Sequence, residues 1–202
     1  MTKPYFIRVP TSISSQLLIL MLMALIASVS RAADWDIDQL MQSLAQTRSG
    51  HASFIEKKSI AILDKPIESS GELFYSAPDR LEKRTLKPKP ESMLLDHGTL
   101  TIERGQQKHR LQLQDYPELA AFIDSIRGTL AGDRRALERT YQLSLQGDMQ
   151  SWMLLLIPID NKMKKVVQRI HIFGVNDEVR SIEVMQADGD SSLMTIENLA
   201  TP

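Results

Sequence analysis

The sequence contains no cysteine among its 202 residues. It therefore has no disulfide scaffold, no thiolate zinc site, no cysteine nucleophile and no cysteine open to lipid modification. Neither sign of charge dominates, since 24 Lys and Arg residues balance 25 Asp and Glu residues. This balance argues against a basic protein that coats nucleic acid. Aromatic residues make up only 5% of the chain, so few large rigid side chains are available to fill a core.

Short catalytic and cofactor motifs are missing as well. The chain has no GxSxG nucleophile elbow, no GxxxxGK[ST] phosphate loop and no GxGxxG dinucleotide motif. Its histidines follow neither HxH nor HxxxH spacing, which argues against a histidine metal site. We therefore predict a binding protein that uses no cofactor and is not an enzyme.

The first 32 residues have the three parts of a bacterial secretory signal peptide. Lys3 and Arg8 carry positive charge, and residues 17–29 form an uninterrupted apolar run. Ser30 and Ala32 are the small residues before an expected cleavage site. A membrane span needs about 20 apolar residues, more than this run provides. We expect residues 1–32 to be removed and residues 33–202 to form a single periplasmic domain; an uncleaved anchor is the alternative.

Hydrophobic periodicity predicts a helix at the start of the mature chain. Apolar residues recur at helical spacing from 37 to 44, which is typical of an amphipathic helix packed on an apolar surface. Asp34 or Asp36 would cap its first turn, and Gly50 would end it.

Short β-type segments separated by turn residues fill most of the remaining chain. The predicted strands lie near residues 51–63, 68–76, 80–86, 91–96, 99–104, 108–114, 140–147, 151–157, 165–173, 178–187 and 191–198. A helical segment over residues 116–139, divided at Gly132, interrupts them. This pattern predicts an antiparallel sheet that curls on itself, with the helices covering its open side. Side chains could fill the enclosed space completely, or part of it could remain as a pocket for an apolar ligand.

A series of short motifs runs through residues 34–198. They are Phe54-Ile55-Glu56, the segments 71–78 (GELFYSAP) and 90–98 (PESMLLDHG), residues 154–158, Lys164-Lys165-Val166 and the turn Asp188-Gly189. In order and spacing these motifs resemble the LolA-like family of periplasmic lipoprotein carriers. The resemblance implies an α+β fold, an incomplete antiparallel β-barrel of about 10–11 strands closed by helices around an apolar cavity. It also implies a carrier that ferries an acylated cargo from an inner-membrane exporter to an outer-membrane acceptor.

Three positions differ from the family pattern. Ala77 replaces an arginine before the proline, Glu56 replaces a glutamine after the phenylalanine, and Leu81 replaces an aromatic residue. In the family that arginine is tied to closing the cavity, so the same gating does not transfer to this chain. With these three residues the chain is more similar to carrier-like relatives found alongside aryl polyene or fatty-acid-type synthesis.

Candidate ligand contacts come from the first helix, the strands and the second helical segment. They are Leu40 and Leu44; Phe54, Leu73, Leu81, Met93 and Leu95; and Phe122, Ile123 and Ile126, which could form a movable lid. Ordinary core packing is the alternative for each of them, and Trp152 is expected in the core. The basic residues Arg80, Lys83, Arg84, Lys87 and Lys89 are expected on a solvated strand edge, where they could also meet anionic headgroups.

The leading interpretation is a monomeric carrier of a lipid or acylated cargo, with no nucleic-acid partner and no metal. A sensor or adaptor that binds a partner protein through the same fold is one alternative. A small hydrolase acting on an acylated substrate is another. It would need a polar cluster such as Glu56 with His109 or Glu103.

Overall fold

The structure, a computed structural model, describes residues 35–199. The predicted signal peptide lies outside these residues. Within them, helices α1, α2 and α3 span Ile37–Leu44, Pro117–Leu130 and Arg134–Glu138. The strands are β1 Ser49–Ser59, β2 Ile67–Ser76, β3 Arg80–Lys87, β4 Glu91–Asp96, β5 Thr99–Arg104, β6 Gln107–Gln112, β7 Tyr141–Asp148, β8 Ser151–Pro158, β9 Val167–Val175, β10 Glu178–Gln186 and β11 Ser191–Asn198.

All eleven strands belong to one antiparallel sheet, in the order β6-β5-β4-β3-β2-β1-β11-β10-β9-β8-β7. The last strand returns beside the first, with Phe54 opposite Ile196, and so joins the two halves of the sheet. Helices α2 and α3 fill the connection between the edge strands β6 and β7. Strongly twisted sheets of this size curl, and β6 and β7 do not pair with each other in the part of the chain that the structure describes. The predicted incomplete barrel is confirmed.

Local turn chemistry explains why the strands fall where the sequence predicts. At the β4–β5 hairpin His97 and Gly98 both have positive φ, 46° and 76°, as a tight two-residue turn requires. Gly189, with φ of 94°, is the positive-φ residue of the longer turn between β10 and β11. Each predicted strand corresponds to an observed one within a few residues at either end.

The predicted end of the first helix was wrong. Helix α1 is capped by Asp36, whose side chain accepts a hydrogen bond from the Gln39 backbone, but it ends at Leu44. Gly50 lies inside β1, opposite Tyr75 of β2. The apolar stripe of α1 has no member after Leu44, so a further helical turn would bury nothing and the chain enters the sheet instead.

One face of the sheet carries the apolar core, and we call it the inner face. Cross-strand register places Phe54, Leu73, Leu95, Leu154 and Ile172 on it, and the buried residues of α1 pack against this face. The opposite side, the outer face, is more polar and more exposed.

The inner face near α1 and α3 is densely filled, and we call this region the packed core. It combines α1, α3, β1 and β7–β11, and it includes Trp152, which is 2% exposed, as predicted. The Trp152 indole N–H donates to the Asn176 carbonyl over 2.9 Å. Gly174 lies directly against the ring, since a Cβ there would sit 2.1 Å from an indole carbon. This half of the interior is a close-packed solid.

Candidate functional site

A second apolar cluster lies between α2 and the inner faces of β3–β6, and we call it the α2 cluster. Its buried members are Leu95, Leu100 and Leu113, and its half-buried members are Leu81, Met93, Ile102, Leu111, Leu119, Ala120 and Ile123. Three members are thus buried and seven are half-buried. The packed core has the opposite balance, with sixteen buried and ten half-buried members.

Helix α2 is attached through small side chains. Its buried residues are Ser125, Gly128 and Thr129. Gly128 allows a close approach to α3, because a Cβ there would lie 2.9 Å from the Leu137 side chain. The large apolar residues of α2 are only half-buried. The helix therefore rests on a narrow small-residue contact and leaves its bulky side chains at a partly open apolar surface.

A tyrosine on the first strand after the helices fixes the middle of α2. The Tyr141 hydroxyl donates to the Ala121 carbonyl over 3.2 Å. Burial raises the pKa of Tyr141 to about 12, so the hydroxyl keeps its proton and its hydrogen bond into the alkaline range. Within α2, Thr129 Oγ1 donates to the Ser125 carbonyl over 2.7 Å, which satisfies a buried hydroxyl. The Tyr141 hydrogen bond thus attaches α2 at Ala121, beside the α2 residues that belong to the α2 cluster, whereas the small-residue contact with α3 lies further along the helix, at Gly128.

The five strand residues predicted to contact a ligand share one face. Leu81 is opposite Leu95, and Met93 lies on the same face two residues before Leu95. Leu73 is opposite Lys83, which is in turn opposite Met93. Phe54 projects from the same side of β1. The alternation of side chains along each strand therefore brings these predicted residues together on the inner face.

The predicted ligand contacts differ in accessibility. Leu40 and Leu44 face the sheet, but at 0% and 1% exposure they lie within the packed core. Phe54 is also 1% exposed. Leu73, Leu81, Met93, Phe122, Ile123 and Ile126 are half-buried. A ligand role for any of these residues stays a prediction, but only the half-buried group offers apolar surface to a ligand without repacking the core.

An ion pair on the inner face was missed by the sequence analysis. Lys83 was expected on a solvated strand edge, but β3 lies within the sheet and Lys83 points inward. Its Nζ lies 2.5 Å from Glu56 Oε2 and 4.9 Å from the centroid of the Phe54 ring. Glu56 is only 8% exposed. Alternation along two strands was the available signal, because Lys83 is two residues from Leu81 and Glu56 is two residues from Phe54.

Other members of the basic cluster do lie toward solvent. Arg84 projects from the outer face of β3, beside Glu82 at 2.7 Å and Glu72 at 3.8 Å. Arg80 lies 3.5 Å from Asp96. The five basic residues therefore do not form one surface, because alternation along β3 sends Lys83 and Arg84 to opposite faces.

The tyrosine next to Leu81 adds a further polar group to the inner face. Tyr75 is opposite Leu81, and its buried hydroxyl has no hydrogen-bond partner within residues 35–199. Burial raises the pKa of Tyr75, and the charges of Arg48 and Arg127 oppose this shift. The hydroxyl is therefore a neutral donor close to the half-buried apolar residues.

The polar cluster that a hydrolase would need is not assembled. Glu103 projects from the outer face, where it is opposite Ser92 and pairs with Lys108. His109 is on the inner face, but four strands separate it from Glu56, about 24 Å along the sheet at the usual strand spacing. Across residues 35–199, no cluster of three or more His, Asp or Glu side chains is placed to hold a metal ion.

A separate cleft lies between α1 and α3. It has a volume of about 610 Å³ and is lined mainly by charged and polar side chains, together with Met41. Arg134 in its wall pairs with Asp38 at 2.9 Å and with Glu138 at 2.7 Å. A polar, open cleft of this kind does not suit an acyl chain. We therefore place the candidate site at the α2 cluster.

Comparison with known protein families shows which family the chain belongs to. The family described as outer membrane lipoprotein carrier protein LolA-like matches residues 27–201. The chain belongs to this LolA-like family. No curated protein matches the sequence. Helices long and apolar enough to cross a membrane are not found between residues 35 and 199 of this LolA-like chain.

Several solved structures resemble this LolA-like chain at low sequence identity. The LolA superfamily protein NE2245 from Nitrosomonas europaea is 11% identical, with a TM-score of 0.44 over 81% of this chain and 93% of that one. The Mycobacterium tuberculosis lipoprotein LppX is 8% identical, with a TM-score of 0.46 over 82% and 96%. A chain of the Pseudomonas aeruginosa MucA/MucB complex is 14% identical, with a TM-score of 0.47 over 83% of this chain but only 58% of its own length.

Proposed function

We propose that this LolA-like protein is a periplasmic carrier that binds the acyl or other hydrophobic moiety of a lipid or lipoprotein. It carries this cargo from an inner-membrane exporter toward an outer-membrane acceptor and performs no chemistry on it. The observation that supports the proposal is the half-buried state of the large apolar residues that face one another across the α2 cluster. Family membership supports the same function.

The proposed binding surface lies between α2 and the inner face of β2–β5. Leu81 and Met93 of the α2 cluster form its floor, and Ile123 of the same cluster forms its cover. We assign Leu73 to the floor and Phe122 to the cover where the surface borders the packed core, and half-buried Ile126 to the cover. Each buried methylene contributes about 0.8 kcal/mol, so a chain of a dozen carbons gains about 10 kcal/mol before ordering costs. Leu40 and Leu44 are fully buried in the packed core, so they would contact the ligand only if that core repacked.

The cover opens by movement of α2 away from the inner face. The small-residue contact with α3 holds the C-terminal part of the helix in place, and the Tyr141 hydrogen bond to Ala121 breaks when the helix moves. Opening disturbs few other buried contacts, because the large apolar side chains of α2 are already half-buried. The protein then exchanges cargo without unfolding its packed core.

The test is lipid binding by the full chain, secreted and purified from a bacterial periplasm. Native mass spectrometry should detect co-purified lipid, and an apolar fluorescent dye should bind the protein after delipidation. Leu81→Glu and Met93→Glu should each weaken dye binding at least about tenfold, since a buried charge opposes apolar contact. Leu193→Glu is the matched control, because Leu193 lies on the outer face at 43% exposure.

Two results would overturn the proposal. One is wild-type protein that binds neither lipid nor dye. The other is an equal loss of binding in Leu81→Glu and Leu193→Glu when thermal melts show that both variants are folded. A long-lived protein complex that forms equally well without lipid would favour the sensor or adaptor function instead.

A further inference from the structure

Two charges lie among apolar side chains on the inner face, Lys83 in the floor of the proposed binding surface and Glu56 on the adjoining strand β1. Lys83 is flanked by Leu73 on one neighbouring strand and by Met93 on the other. Glu56 is flanked by Ser69 and by Met194. The Glu56–Lys83 ion pair therefore lies where the packed core meets the α2 cluster.

The backbone of β2 explains how the pair forms across an intervening strand. Glu56 is on β1 and Lys83 is on β3, and the lysine side chain crosses β2 above the Phe54 ring. Gly71 is the β2 residue opposite Phe54, and it presents no side chain at this point. A Cβ on Gly71 would lie 2.0 Å from the Arg84 carbonyl oxygen, so the glycine cannot be replaced without shifting β3.

The ammonium group is the more accessible half of the pair. The Lys83 side chain is 26% exposed, whereas the Glu56 side chain is 10% exposed. An ammonium group has three N–H donors. Within residues 35–199, the hydrogen bond found for Lys83 Nζ goes to Glu56 Oε2. Two donors therefore remain for a ligand that occupies the apolar surface.

The neutrality of the pair decides which ligand head group it suits. An uncharged carbonyl oxygen can accept from Lys83 while Lys83 stays paired with Glu56. A carboxylate in the same position would bring a second negative charge beside Glu56, in a partly buried place where like charges repel strongly.

We infer that the Glu56–Lys83 pair binds the carbonyl oxygen of an ester- or amide-linked acyl chain and disfavours free fatty acids. This inference rests on the proposed function, because it assigns the ligand class of the same binding surface. The acyl chain lies along the inner face toward Leu81 and Met93, and its linkage oxygen sits at Lys83. The cargo is then an esterified lipid or an acylated protein.

The experiment compares dodecanoic acid with its glyceryl monoester, each displacing an apolar dye from the full chain. Below their micelle concentrations and at about pH 8 the acid is ionised. Both ligands bring the same hydrocarbon chain, so their affinity ratio reports the head group alone. Wild-type protein should bind the monoester at least about tenfold more tightly, a difference of about 1.4 kcal/mol.

Glu56→Gln should reverse this preference, because it leaves Lys83 as a single positive charge. The monoester-to-acid ratio should fall at least about tenfold in this variant. Glu72→Gln is the matched control. Glu72 pairs with Arg84 on the outer face, so its substitution should leave the ratio unchanged.

The outcomes separate the inference from the proposed function. Equal binding of acid and monoester by wild-type protein would overturn the inference and leave the carrier function standing. An unchanged ratio in folded Glu56→Gln protein would overturn it as well. If neither ligand displaces the dye and no dye binds, the carrier function fails and the inference fails with it. The wild-type ratio decides the question alone if Glu56→Gln does not fold.

Discussion

Replacing Lys83 by methionine tests how strongly the inward ion pair is coupled to folding. The substitution leaves the Glu56 carboxylate 8% exposed, with the Ser69 hydroxyl at 3.5 Å as its remaining partner. Removing one partner of a fully buried pair costs about 3–5 kcal/mol. Because Lys83 is about a quarter exposed, we expect Lys83→Met to lower the free energy of unfolding by about 2–3 kcal/mol.

Substituting the other member of the pair should reduce the free energy of unfolding by less. Glu56→Gln keeps an amide oxygen that accepts from Lys83, and the lysine can turn its ammonium group toward solvent, so we expect a loss of about 1 kcal/mol. In the double variant neither side chain is left as a buried unpaired charge. Its loss should therefore be smaller than the sum of the two single losses by about 1–2 kcal/mol.

Urea denaturation of the wild type, both single variants and the double variant measures this coupling energy. The slopes of the four unfolding curves should agree, since the substitutions do not change the surface exposed on unfolding. Losses that add to within about 0.5 kcal/mol would refute the coupling. A Lys83→Met variant as stable as the wild type would show that the two side chains are not paired in solution.

Two further predictions concern the packing that supports the site. Gly174→Ala should destabilise the protein by about 3 kcal/mol in thermal or urea denaturation, because its Cβ would overlap Trp152, whereas Gly50→Ala meets nothing within 4 Å and should change stability little. Tyr141→Phe should cost about 1 kcal/mol at neutral pH by removing the hydrogen bond to α2. Burial raises the pKa of Tyr141 to about 12, so its stabilising contribution is present below about pH 10 and is lost toward pH 12. The stability difference between wild type and Tyr141→Phe should therefore shrink over that range, and a constant difference would contradict the assignment.

Much of the fold could be predicted because strands and tight turns leave local signals. Alternating apolar residues and the glycine turns at 98, 105 and 189 fixed the strand boundaries to within a few residues. The shared face of Leu81, Met93 and Leu95 follows from the same alternation. Gly50 was misassigned because glycine is typical both of a helix end and of an exposed strand start, and the pairing with β2 decides between them.

The site itself depends on positions that no local pattern encodes. Leu40 and Ile123 both fall on helical apolar stripes, yet Leu40 is fully buried and Ile123 is half-buried, because α1 lies on the packed core and α2 lies over the looser cluster. The Glu56–Lys83 pair joins strands that are not neighbours, so it required the register of β1, β2 and β3 together. Alternation could have placed each charge on the inner face, but it could not have shown that the two would meet.

Within residues 35–199 the sheet ends in the edge strands β6 and β7, and such edges influence whether copies of the chain can add to one another. An exposed edge strand can recruit a further strand and so seed fibres. On β6 the consecutive residues Lys108, His109 and Arg110 are all exposed. A second β6 laid alongside would set cations against cations, which is unfavourable in a cross-strand pair. The open edge at β6 is thus protected against the addition of a second copy of the same strand.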